Sequence, residues 1–172
     1  DMSNRTSNSY LSSLKAFCAW MVKSKMATAN PLSHLSKVNE KSDYRHQSRA
    51  FTDDEVQAFM AAAEVAGVSY GMTGPERVLL YRFALETGLR YSEIRSLTRG
   101  SFNFVTTPAT VFLAAQSAKN GHEATVVVRE PLASDMADYL RMHAPAARAF
   151  RLQDGKGGKM LKADLELAGV PY

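Results

Sequence analysis

The chain has little that would hold it together covalently or place it in a membrane. It has one cysteine, Cys18, so an internal disulfide is excluded and a reducing compartment fits. Cys18 lies among apolar residues of an expected helix, where a small buried side chain is the preferred reading over a reactive thiol. No apolar run is long enough to span a bilayer. The first residues, Asp1-Met2-Ser3-Asn4-Arg5, lack the apolar stretch of a secretory signal. There is no internal repeat, no low-complexity tract and no cluster with metal-ligand spacing. What is present is a globular composition, 45% apolar and 22% charged over 172 residues. The net charge of +4 is unevenly placed, since residues 1–50 hold eight Lys/Arg against three Asp/Glu. A basic leading segment suits a phosphate-bearing partner, although many proteins with other partners share it.

Apolar spacings of three and four from Thr6 to Lys25 predict an amphipathic helix with Tyr10, Leu11, Leu14, Phe17, Cys18, Met21 and Val22 on one face. Asn30-Pro31 breaks it, and a short turn through Leu32 to Leu35 follows. One helix and a turn bury too little surface for a domain, so this face is expected to dock either on something outside the chain or on the rest of it. Trp20 and Phe17 read as core residues. The polar stretch from Ser36 to Arg49 has no helical period and reads as an inter-domain linker. Its Lys37, Lys41, Arg45, His46 and Arg49 either touch a nucleic-acid backbone or only solvate the linker.

Order resumes at Phe51. Thr52 and Glu55 form a capping-box pattern, with Phe51 placed to staple onto Val56. That helix runs to about Ala66, with Val56, Phe59, Met60 and Ala63 inward. Pro75 opens the next helix, which carries Val78, Leu79, Tyr81, Arg82, Phe83 and Leu85 towards Gly88. A short helix from Ser92 to Leu97 follows, with Ser92 expected to cap it. The pattern then changes to alternation at 101–105, 110–118 and 123–129, with Asn120-Gly121 expected as a type I′ hairpin turn. These segments predict a three-stranded antiparallel sheet. Helix returns after Pro131, with Leu132, Met136, Tyr139 and Leu140 on one face. It returns again from about Lys159 to Ala168, with Met160, Leu161, Leu165 and Leu167, and ends at Gly169. The expected fold class is mainly α with a small three-stranded antiparallel sheet, α+β.

The stretch from Glu86 to Leu97 carries the chemistry. Gly88 tolerates the left-handed conformation that ends a helix, and the turn after it presents Arg90. A guanidinium held in a turn can grip a phosphate through two parallel hydrogen bonds, with Glu93 orienting it. Alternatively Arg90 is a surface capping residue paired with Glu93. Lys119, before Asn120-Gly121, is either an ordinary lysine at an exposed turn or a proton donor to a departing alkoxide.

The pattern Thr87-Gly88-Leu89-Arg90-Tyr91-Ser92-Glu93-Ile94-Arg95-Ser96-Leu97 resembles the first arginine box of tyrosine recombinases, the phage integrase family (T-G-x-R-x-S-E-hydrophobic-x-x-L). The match has no gap. Ser117-Ala118-Lys119-Asn120-Gly121-His122 followed by Val126-Val127-Val128 is similar to the family's lysine hairpin (T-K-x-x-x-x-x-V-P-L), departing from it at Val128-Arg129-Glu130-Pro131. The Tyr10-to-Val22 run with Asn30-Pro31-Leu32 resembles the end of the family's helical core-binding domain. The resemblance implies residues 1–38 as the end of that DNA-binding domain, 39–50 as a linker, and 51–172 as the first part of a catalytic domain. It implies a site-specific recombinase or integrase that breaks and rejoins double-stranded DNA through a 3′-phosphotyrosyl link, without metal or cofactor. Arg90 would bind the scissile phosphate, Glu93 would support it, and Lys119 would protonate the leaving 5′-oxygen. Lys37, Lys41, Arg45 and Arg49 would contact DNA. The intact protein would self-associate on DNA in a nucleoid-associated, cytoplasmic setting.

The family's His-x-x-Arg box and nucleophilic tyrosine follow the hairpin. None of His34, His46, His122 and His143 is followed by Arg three residues on. Tyr172 lies ahead of where the box belongs and reads as an ordinary core or cut-site residue. The chain as it stands is therefore expected to be truncated and not to cleave DNA. Two other classes remain: a naturally short DNA-binding relative without catalysis, and a helical protein-interaction domain.

Overall fold

The computed structural model describes residues 2–43 and 49–171, and the chain divides into two units, 1–50 and 51–172. Arg45 and His46 of the expected linker, and Tyr172, lie outside the described residues.

In the first unit, α1 spans Asn4–Lys23 and is capped by Ser3, whose hydroxyl accepts from the Thr6 N–H. The polar stretch after it does not run free. Asn8, buried on α1, donates to the Val38 carbonyl at 2.9 Å and accepts from the Val38 N–H at 2.9 Å. Asp43 accepts from the Asn4 N–H at 2.7 Å, beyond a 3₁₀ turn at Glu40–Ser42. Residues 38–43 thus return along α1 through the Asn8 amide and the Asp43 carboxylate, which periodicity does not register. The apolar face of α1 is the larger departure. Phe17 and Trp20, expected in the core, are 54% and 51% exposed and stack on each other. Tyr10 and Leu14 are exposed beside them, and Cys18 is only half-buried. The helical period is legible in the spacing, whereas the exposure of these side chains is not.

The second unit is α+β. Helix α2 (Asp53–Val65) begins with the expected box, Thr52 and Glu55 each accepting the other's backbone N–H. Phe51 lies against the Phe59 ring, 6.2 Å between centroids. Helix α3 (Gly74–Thr87) has a second capping box, Thr73 with Glu76, ahead of Pro75. Between them Tyr70 and Gly71 both take positive φ, and Ser69 and Met72 exchange backbone hydrogen bonds. After the left-handed Gly88 (φ 64°) comes α4, Tyr91–Ser96. Three strands follow, β1 (Phe102–Asn103), β2 (Ala109–Leu113) and β3 (Ala124–Val128), antiparallel in that order. Helices α5 (Leu132–Leu140) and α6 (Gly157–Leu167) complete the unit. The Gly169 N–H bonds the Glu166 carbonyl and the Val170 N–H bonds that of Leu165, a Schellman end.

The core gathers one face of each helix on the inner face of the sheet. Phe83 of α3 contacts both Phe102 and Phe150, and Val111, Val128, Met136 and Leu165 are fully enclosed. Each such side chain contributes roughly 1.5–3 kcal/mol of apolar burial. Leu85 of α3 and Leu167 of α6 lie outside this core and are exposed, whereas two polar residues of the same helices are buried in it. Arg77 is wholly buried and makes a two-pronged pair with Asp164, Nε to Oδ2 at 2.9 Å and Nη2 to Oδ1 at 3.2 Å. Its Nη1 reaches the carbonyls of Gly67 and Met72, and the Tyr81 hydroxyl donates to Asp164 at 2.6 Å. Burial, then the bond to Asp164, pushes the Tyr81 hydroxyl far above its ordinary range. This pair joins α3 to α6 and fixes α3, whose C-terminal end carries the candidate site.

Candidate phosphate-binding site

Helix α3 ends where the sequence places its stop, and Arg90 sits in the turn to α4. The details of that turn differ from expectation. Ser92 does not cap α4. Arg90 is the capping position and Ser92 lies inside the first turn. The side-chain bond at this helix start comes from the other direction, the Glu93 carboxylate reaching back to accept the Arg90 N–H at 2.8 Å. Only this half of a capping box exists, since a guanidinium has no acceptor.

Glu93 is 4% exposed and serves three donors. Its Oε2 takes the Arg90 N–H, and its Oε1 takes the Arg90 Nη1 at 3.4 Å and the Lys119 N–H at 3.2 Å. Those bonds hold its carboxyl below the ordinary carboxylate range, the Arg90 N–H contributing most, while burial pulls the other way. Glu93 is therefore an ionised strut between the α3–α4 turn and the β2–β3 connection. The Arg90 side chain itself is 61% exposed, so the guanidinium is oriented from one side and open to a ligand on the other.

The β2–β3 connection is where the expected hairpin fails. The last strand pair is Leu113 with Ala124, so residues 114–123 form a loop and not a two-residue turn. A 3₁₀ turn at Ala115–Ser117 takes the chain off the sheet. A second turn follows, the Gly121 N–H bonding the Ala118 carbonyl at 3.1 Å. Gly121 has φ 71°, but Asn120 is not left-handed, so type I′ geometry is absent. Lys119 is consequently the first central residue of an ordinary turn, anchored by its backbone to Glu93.

Arg90, Glu93 and Lys119 line one pocket of about 470 Å³. Leu113 and Glu93 are buried in its floor, while Arg90, Lys119, Asn120 and His122 are exposed at its rim. Asn120 and His122 were not singled out from sequence, since nothing local marks a loop residue as facing a site across the fold. Lys37, Lys41 and Arg49 are exposed in the first unit, and Arg45 lies outside the described residues. Tyr91, beside Arg90, faces elsewhere, its hydroxyl donating to the Gln153 carbonyl at 2.6 Å. Among the described residues no group of three or more His, Cys, Asp or Glu is placed to hold a metal ion. Nor is any helix there long and apolar enough to cross a membrane.

Chemically, the rim offers a planar fork, an ammonium, an imidazole and an amide, and its one carboxylate is engaged by protein donors. That arrangement suits an anion with several oxygens. Comparison of the chain with family models, curated proteins and solved structures gave no match.

Proposed function

We propose that this pocket is the phosphate-gripping half of a DNA strand-exchange site, and that the intact protein is a site-specific recombinase of the tyrosine type. The observation that carries the reading is the bridging of the Arg90 and Lys119 backbones by one buried carboxylate, with both residues lining the same pocket. The ungapped arginine-box pattern supports it from the sequence side. In this scheme the Arg90 fork holds the non-bridging oxygens, where negative charge develops as phosphorus is attacked. Glu93 keeps that fork aimed, and Lys119 donates a proton to the departing 5′-oxygen. Such assistance contributes roughly 10²–10⁴-fold in rate. Double-stranded DNA is the partner, with Lys37, Lys41, Arg45 and Arg49 adding backbone contacts and self-association on DNA in the intact protein.

Fluorescence anisotropy with a labelled duplex, at several salt concentrations, tests the reading. Arg90→Ala is expected to weaken binding about tenfold and to reduce the salt slope by about 1, with the melting temperature unchanged. The exposed Tyr10, Leu14, Phe17 and Trp20 favour a second reading, a helical protein-interaction domain whose arginine turn is structural. Under that reading Arg90→Ala lowers stability and leaves DNA affinity as it was.

A further inference from the structure

The pocket rim contains a group that the arginine-box and lysine-hairpin patterns do not assign. We propose that His122 is a third phosphate-binding residue, its ring N–H donating to the phosphodiester held by Arg90 and Lys119. This inference rests on the function proposed above and deepens it by naming a further ligand-contacting side chain.

Its placement follows from the loop. Gly121 takes a left-handed φ directly after the Lys119-Asn120 turn, and Asn120 Oδ1 accepts the His122 N–H at 3.2 Å. These two features return the chain so that Lys119 and His122, three residues apart, line the same pocket as Arg90. One wall comes from the α3–α4 turn and the other from this loop. Glu93 ties the walls together through the Arg90 and Lys119 backbones.

The chemistry of the rim favours an anion at His122. The carboxylate lining the pocket, Glu93, already accepts three N–H donors on its two oxygens, so it does not compete for the imidazole. Among the described residues the His122 ring has no hydrogen-bond or ionic partner; only its backbone N–H is bonded. Imidazole keeps at least one N–H donor in either charge state. It is also stiffer than lysine, so holding it against a ligand costs less side-chain entropy. A histidine held on the cation-bearing flank of a pocket, with no partner of its own, is poised as a donor to ligand.

Duplex binding by the full chain, followed by anisotropy, is the test, with inorganic phosphate as competitor and melting temperature as the folding control. His122→Ala is expected to weaken duplex binding three- to tenfold and to raise the phosphate concentration needed to compete by a similar factor. His122→Gln, which keeps an N–H donor of similar reach, is expected to restore most of both. The side chain is exposed, so neither variant should shift the melt. Wild-type binding by His122→Ala, with Arg90→Ala still weakened, overturns the His122 role and leaves the clamp standing. A His122→Gln variant as weak as His122→Ala also overturns it, because a donor is then not what was lost. If Arg90→Ala likewise binds as wild type, the pocket reading falls with it.

Discussion

Replacing Glu93 by Gln removes one charge from a buried strut while keeping its shape. The carboxylate has an acceptor for each of three donors, the Arg90 N–H on one oxygen and the Arg90 Nη1 and Lys119 N–H on the other. A glutamine amide has one oxygen. Whichever way it turns, its NH₂ faces a donor, so at least one charge-assisted bond is lost and one buried N–H is left unmade. Such a bond is worth about 1.5–3 kcal/mol, and the total loss should be about 2–3 kcal/mol at neutral pH. For a unit of this size that lowers the melting temperature by roughly 6–12 °C. The pH dependence follows from the direction of the shift. Glu93 titrates below its ordinary value of 4.5 in the folded protein, so its stabilisation is complete above that value. It is lost as pH falls through the lower folded value. Urea unfolding of wild type and Glu93→Gln should therefore differ by a constant amount from pH 8 to about pH 5 and converge in more acid solution. Equal melting temperatures at pH 7, or a gap that stays constant into strong acid, would refute the strut.

Two further outcomes concern the frame behind the site. Asp164→Ala leaves the wholly buried Arg77 without its counter-charge and should cost about 3–5 kcal/mol, read as a lower urea midpoint. Replacing both partners, Arg77→Met with Asp164→Leu, should recover much of that loss in the same assay. Gly74→Ala should destabilise by about 1–3 kcal/mol in a thermal melt. A Cβ there would stand 2.4 Å from the carbonyl oxygens of Ala63 and Glu64, and backbone at the end of α2 cannot yield cheaply.

Local signals were legible wherever the interaction spans one turn. The Thr52–Glu55 box, the Gly88 stop and the Schellman end at Gly169 all join residues a few positions apart, so spacing alone announces them. The α+β class followed from the same evidence, as helical periods gave way to alternation and returned. Ser92 does not cap because the helix begins one residue earlier, at Tyr91, which makes Arg90 the capping position and leaves Ser92 inside the first turn. The hairpin at Asn120-Gly121 was misread because a turn dipeptide fixes local geometry but not register. Register was set by packing, with Val111 and Leu113 inside, and the strands ended before the turn was reached.

The sequence by itself thus determined the order of helices and strands, the Thr52–Glu55 box and the Gly88 stop before the turn that presents Arg90. Tertiary structure alone decided which distant partners meet. Glu93 joins Lys119 across 26 positions, and Arg77 joins Asp164 across 87. Neither pairing has a spacing rule, because each depends on which helix faces and loop ends the core brings together. The exposure of Phe17 and Trp20 belongs with these. An apolar stripe specifies that a helix has a face to cover, while the surface that covers it is a property of the packed protein.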